Sequence, residues 1–170
     1  MCRLAAYLGA DISLQRFLIA PPHSLLVQGW SPRELRYARL NADGYGFAWF
    51  GIHRQPTVYV NPAPIWTDPN LPYLARELHS DLWIASVRSA TEGNPVNHAN
   101  TQPFIDERFI FDHNGLIERF HQSVRPKLCT LLDGETLAGI KGNTESEYLF
   151  ALFRSIMNGQ PNLSVDNGIR

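Results

Sequence analysis

The stretch NADGYGFAWF, residues 41–50, decides the fold class. Its first half is rich in Asn, Asp and Gly, which accept turn conformations, and its second half is an aromatic run suited to a strand. TVYV, residues 57–60, follows a short polar interval and reads as the hairpin partner of that strand. Hairpin strands pair antiparallel, so the first expectation is an antiparallel sheet.

Toward the N-terminus, CRLAAYLG, residues 2–9, reads as another strand, one that places the start of the chain inside a sheet rather than on a loose tail. SLLVQGW, residues 24–30, predicts a short helix. Toward the C-terminus, Pro62, Pro64, Pro69 and Pro72 make residues 63–71 a loop. PYLARELH then predicts a helix, and LWIASVR, residues 82–88, a buried strand that ends on Arg88. RFIFDHNGLI reads as a strand broken by His113, Asn114 and Gly115. TESEYLFALFRSIMNG carries apolar residues at helical spacing and stops at Gly159, with Thr144 and Glu147 in capping-box positions.

Strands mixed with a few helices, without regular strand–helix alternation, predict an α+β class with antiparallel sheets. The 170 residues show no internal repeat and no linker, so a single domain over 1–170 is expected. Lys plus Arg number 15 against 16 Asp plus Glu, which gives no reason to expect a nucleic-acid groove or an anionic membrane surface as partner. No apolar run approaches the roughly 20 residues of a membrane span, and the start lacks a signal-peptide pattern, so a cytoplasmic location is expected. Cys2 and Cys129 form no CxxC pair and no disulfide framework, and two free thiols fit a reducing compartment.

Chemistry enters at Cys2. Removal of the initiator Met1 would leave a thiol and an α-amine on one residue, nucleophile and base together. The amine titrates near ~7.7–8.0 and the thiol near ~8.5, so the amine relays a proton without a histidine partner. A second-position cysteine alone is ordinary, and three other places give it context. SVRSATEG sets Arg88 at a strand end, where a guanidinium fork grips a carboxylate or makes a structural ion pair. DHNG puts Asn114 and Gly115 in a tight turn, where an amide and a glycine N–H face a developing oxyanion or form a plain hairpin turn. GNTESE presents Glu145 and Glu147 at a helix start, where carboxylates also suit the helix dipole. His98 and His113 lack ligand spacing, so no metal is expected.

Met-Cys-Arg, NADGYG, VRSATEG, NTQPF, DHNG and NTESE occur in this order along nearly the whole chain. Together they resemble the type 2 glutamine amidotransferases, nearest to the stand-alone branch that includes the ergothioneine-pathway γ-glutamyl amidohydrolase. The resemblance implies an N-terminal-nucleophile (Ntn) four-layer αββα sandwich of antiparallel sheets, incomplete at its C-terminus in this chain. A form extended beyond Ile169 and Arg170 is expected to be more stable and more active. It further implies that Cys2 attacks a γ-glutamyl amide, with Arg88 holding the glutamyl α-carboxylate and Asn114 and Gly115 forming the oxyanion hole. Thr91 would position the same group, and Glu145 would bind the α-ammonium at a place where the family usually has aspartate. Glu92 stands where glutamine-using relatives often carry histidine, which bears on specificity for free glutamine. Gly44 and Gly46 read as shaping the turn beside the nucleophile.

The expected reaction is acyl transfer to Cys2 followed by hydrolysis of a glutamyl thioester, without a cofactor. The resemblance leaves open a glutaminase subunit that supplies ammonia to a partner synthase, a homo-oligomer, and a non-catalytic binding or assembly module of the same fold.

Overall fold

A computed structural model describes residues 2–33, 40–91 and 93–159. Met1, Glu92 and residues 160–170, on which the sequence readings of methionine loss, specificity and chain end fall, lie outside the described residues. The chain divides into two compact units, one ending at Asn114 and the other beginning at Gly115.

The first unit is built on a four-stranded antiparallel sheet in the order β1-β4-β2-β3, with β1 Arg3–Ser13, β2 Tyr45–Phe50, β3 Pro56–Asn61 and β4 His79–Val87. The expected hairpin is there, with Phe47 opposite Tyr59 and Trp49 opposite Thr57. Strand alternation sends Tyr45, Phe47, Trp83, Ala85 and Val87 to one face, where they pack with Leu14, Leu18, Leu25, Ile65 and Leu71. Leu25 and Leu71 open the two helices of this layer, α1 Leu25–Trp30 and α2 Leu71–Glu77. Ser24 caps α1 by accepting the Val27 N–H. Trp83 is fully buried, and its indole N–H donates to the Ile12 carbonyl at 3.2 Å, so its bulk is placed without an orphaned donor.

The opposite face of the sheet carries smaller groups: Gly46, Ala48 and Ser86 by the same alternation. A Cβ on Gly46 would lie 2.3 Å from the Gln102 carbonyl oxygen and 3.0 Å from Pro103 Cδ. Gly46 therefore permits a close approach of the 102–103 backbone, rather than shaping a turn as its sequence context implies. Gly44, at φ +114°, does shape the turn.

The second sheet of this unit pairs two short strands, β5 Phe104–Ile105 and β6 Ile110–Phe111. Their turn is held by Asp106, which accepts the N–H groups of Arg108 and Phe109. The turn therefore falls at Asp106, and Asn114–Gly115 is not a hairpin turn: residues 112–117 are in no regular element. The reason is a side chain. Gln102 donates its amide to the His113 carbonyl at 2.9 Å and accepts the His113 N–H at 2.8 Å, supplying the ladder contacts that a third strand would have made.

The second unit is helical, with α3 Arg125–Leu131, α4 Gly134–Ala138 and α5 Glu145–Gly159 around Phe120, Leu128 and Tyr148. The predicted α5 is present, and Gly159 is its last described residue. Half of the capping box forms. Thr144 Oγ1 accepts the Glu147 N–H at 3.4 Å, but the Glu147 carboxylate accepts from the backbone of Lys141 and Gly142 instead of Thr144. Two N–H groups of the entering loop offer more than the one a reciprocal box would use. Among the described residues no helix is long and apolar enough to cross a membrane.

Candidate active site

The register of β1 with β4 sets Arg3 opposite Val87, so the next residues outward, Cys2 and Arg88, meet at the same sheet end. The Cys2 thiol points to the Ser89 carbonyl oxygen at 3.6 Å. Arg88 is buried, and the ladder continues through it: its N–H donates to the Gly44 carbonyl and its own carbonyl accepts from Asp43. Its guanidinium reaches the backbone carbonyls of Asp43 and Pro95, at 3.4 and 3.2 Å. The NADGYG turn is thereby tied to the strand end, with the Asp43 carboxylate accepting the Ala90 N–H at 2.8 Å.

Asn114 arrives from the other sheet. Its side-chain amide donates to the Cys2 carbonyl at 2.9 Å, a contact between residues 112 positions apart. Cys2, Arg88 and Asn114 are therefore brought together. Thr91 is exposed three residues beyond Arg88, where its carbonyl accepts the Asn94 N–H. Gly115 follows Asn114 directly and is exposed, opening the second unit. Glu145 belongs to that second unit, buried in the first turn of α5.

Burial raises the thiol of Cys2 above its ordinary value. The Ser89 contact and the positive charge of Arg88 oppose that rise, while Asp112 adds to it. Asp112 itself is pushed up to about 7 by burial, against hydrogen bonds from Ser86 and the His113 N–H. Its Oδ2 is buried with no hydrogen-bond partner.

The structure adds Ser86, Gln102 and Asp112, whose part in the site is not legible in the motifs that contain them, and gives Ser89, one of the hydroxyl residues after Arg88, a contact with the thiol through its carbonyl. The available signal was Asp112, a charged residue directly continuing the apolar strand run Phe109–Phe111 in sequence, where burial penalises ionisation. Gln102 gave no such signal, because its partner His113 is set by folding.

The antiparallel α+β fold that carries the Cys2 thiol, the Arg88 guanidinium and the Asn114 amide is shared with known proteins. A solved glutamine aminotransferase class-II domain protein from Silicibacter pomeroyi superposes with TM-score 0.66 and 25% identity, over 99% of this chain and 62% of that one. The fold is thus of the Ntn-like, glutamine amidotransferase kind that the sequence motifs imply. The family model for class-II glutamine amidotransferases matches residues 20–167, and the chain belongs to that family.

Individual relatives sharpen the placement. The chain is 35% identical to the gamma-glutamyl-hercynylcysteine sulfoxide hydrolase of Mycobacterium tuberculosis over 81% of its length, and 38% identical to the Mycolicibacterium smegmatis protein of the same name over 70%. It is 35% identical to the probable glutamine amidotransferase DUG3 of Saccharomyces cerevisiae over 90%. It spans 59%, 52% and 44% of these three relatives, in that order.

Proposed function

We propose that this chain carries the nucleophile of a cysteine amidohydrolase that cleaves a γ-glutamyl amide through a glutamyl thioester on Cys2. The observation that supports it most is the Asn114 amide on the Cys2 carbonyl at 2.9 Å, which sets an oxyanion-type donor beside the thiol. An Asn amide has two N–H groups, so one holds the Cys2 backbone and the second is available to a developing oxyanion. Gly115 contributes its backbone N–H in the same reading. Arg88, whose guanidinium is steadied by the Asp43 and Pro95 carbonyls, grips the glutamyl α-carboxylate, with Thr91 at the rim and Glu145 taking the α-ammonium.

The raised thiol requires a base. The α-amine of Cys2, freed by loss of Met1, takes the thiol proton and delivers it to the leaving nitrogen as the thioester forms. Water then cleaves the thioester, so no cofactor is required. The names of the mycobacterial relatives favour a γ-glutamyl conjugate such as γ-glutamyl-hercynylcysteine sulfoxide as the substrate. Both cysteines are free thiols, which supports a reducing, cytoplasmic setting.

The deciding experiment is the intact mass of the purified mature protein after exposure to a γ-glutamyl electrophile. The expected result is a chain lacking Met1 with one adduct on Cys2, and no adduct on Cys2→Ala. Labelling of a chain that retains Met1, at an undiminished rate, would remove the amine from the mechanism. A second reading, ammonia supply to a separate synthase, is favoured by the likeness to the yeast probable glutamine amidotransferase. Glutamate release from glutamine that rises only when a partner protein is added would establish it over the conjugate hydrolase.

A further inference from the structure

Asp112 has no place in the chemistry just described, yet the fold encloses it beside the nucleophile. Three observations place it there. Ser86, buried on the small-residue face of the sheet and two residues before Arg88, interacts with its carboxyl, and its hydroxyl also reaches the Gln102 carbonyl at 3.4 Å. Gln102 clamps both backbone groups of the next residue, His113, and so holds the backbone beside Asp112 in place. Asn114, two residues on, is bonded to Cys2 itself at 2.9 Å. Despite this enclosure one carboxyl oxygen, Oδ2, is buried and makes no hydrogen bond.

We propose that Asp112 is a positioning residue for the nucleophile: an enclosed carboxyl whose charge state governs how readily the Cys2 thiol ionises. The proposal rests on the reading of Cys2 as nucleophile and adds a control on the same site. Two anions enclosed side by side are mutually unfavourable, so a carboxylate at Asp112 opposes a thiolate at Cys2, and the reverse. The other charged and titratable groups around the pair are Arg3, whose Nη1 donates to the Cys2 carbonyl at 3.2 Å, Arg88 at the adjoining strand end, and His113 next in the chain. Asp112 is neutral below about 7 and becomes an anion above it, where its charge joins burial in raising the thiol against the Ser89 contact and the Arg88 charge. The device thus widens the alkaline range over which the thiol stays protonated and leaves deprotonation to the local base.

The test is the rate of alkylation of Cys2 by iodoacetamide as a function of pH, read by peptide mass in otherwise unlabelled protein. Cys129, in the second unit, serves as the internal reference. Asp112→Asn, which keeps the shape and removes the charge, should shift the Cys2 midpoint to lower pH. It should also speed alkylation several-fold at a fixed pH between the two midpoints, with the Cys129 profile unmoved. Ser86→Ala should move Cys2 in the same direction by less, because Asp112 loses a donor that favours its anion. An unchanged Cys2 profile in a folded Asp112→Asn, or equal movement of both cysteines, overturns the proposal. If Asp112→Asn does not fold, Ser86→Ala decides by the same two outcomes. The readout needs no turnover, so a failure of γ-glutamyl labelling in the parent protein is seen separately.

Discussion

The two faces of the four-stranded sheet meet an aspartate each, and treat it in opposite ways. On the bulky face, Asp68 accepts from the hydroxyls of Tyr45 and Tyr59, the Asn61 amide and the Asn70 N–H. Burial alone would raise its carboxyl, but these donors outweigh it and hold the group down at about 2. On the small-residue face, Asp112 has fewer donors, an unpartnered oxygen, and a carboxyl pushed up to about 7 by burial. On the aromatic face both oxygens of Asp68 find donors, an arrangement that serves stability. The other face leaves an ionisable group unsettled next to a thiol, as a face built for chemistry does.

The largest effect that separates the faces is Trp83→Ala. Removing a fully buried indole, packed among Trp49, Phe47 and Phe17, should cost about 3–5 kcal/mol in urea unfolding. A loss below about 1 kcal/mol would mean that this face is not the core of the unit.

Asn114→Ala is the counterpart on the side of the chemistry. Its side chain is exposed and makes one contact to Cys2, so the unfolding midpoint should hold while kcat falls roughly 100-fold, the cost of a single oxyanion donor. Equal kcat in the two proteins would take the amide out of the reaction.

Gly46→Ala probes the boundary between the faces. The added Cβ meets backbone at 2.3 Å, and overpacking of this kind costs about 1–3 kcal/mol. Because Gln102 anchors His113, the displacement should also reduce Cys2 labelling, a loss that Gly51→Ala, whose Cβ would come no closer than 3.2 Å to any atom, should not reproduce.

The smallest effects are in pH, and their signs differ. The folded value of Asp68 lies below its ordinary 3.8, so its contribution is fully present above about pH 4 and is lost as pH falls toward about 2. The folded value of Asp112 lies above 3.8, so stability is fullest below about pH 4 and declines as pH rises through about 7. Melting curves of Asp68→Asn and Asp112→Asn should therefore both separate from the parent as pH rises, with opposite signs: Asp68→Asn less stable than the parent above about pH 4, Asp112→Asn gaining on the parent as pH passes through about 7. Shifts of the same sign would abolish the contrast between the faces.

How far the sequence reached varies by element. The β2–β3 hairpin, α1, α2, β4 and α5 were legible because their signals are local: alternation, helical spacing, a serine cap and turn residues sit within a few positions of one another. The turn between β5 and β6 is not legible in this way, and of the two readings open at Asn114–Gly115 the hairpin turn does not form, because Gln102 satisfies the adjoining His113 backbone from eleven residues away.

The sequence by itself determined the family, the antiparallel α+β class and the identity of Cys2, Arg88 and Asn114 as candidates, since ordered motifs and residue chemistry are one-dimensional information. Only the tertiary structure decided that Asn114 touches Cys2 across 112 positions, that Gly46 serves a close approach rather than a turn, and that Asp112 lies enclosed with an unmet oxygen. Burial and hydrogen-bond partners are properties of what surrounds a residue in space, and for these groups the surroundings come from distant parts of the chain.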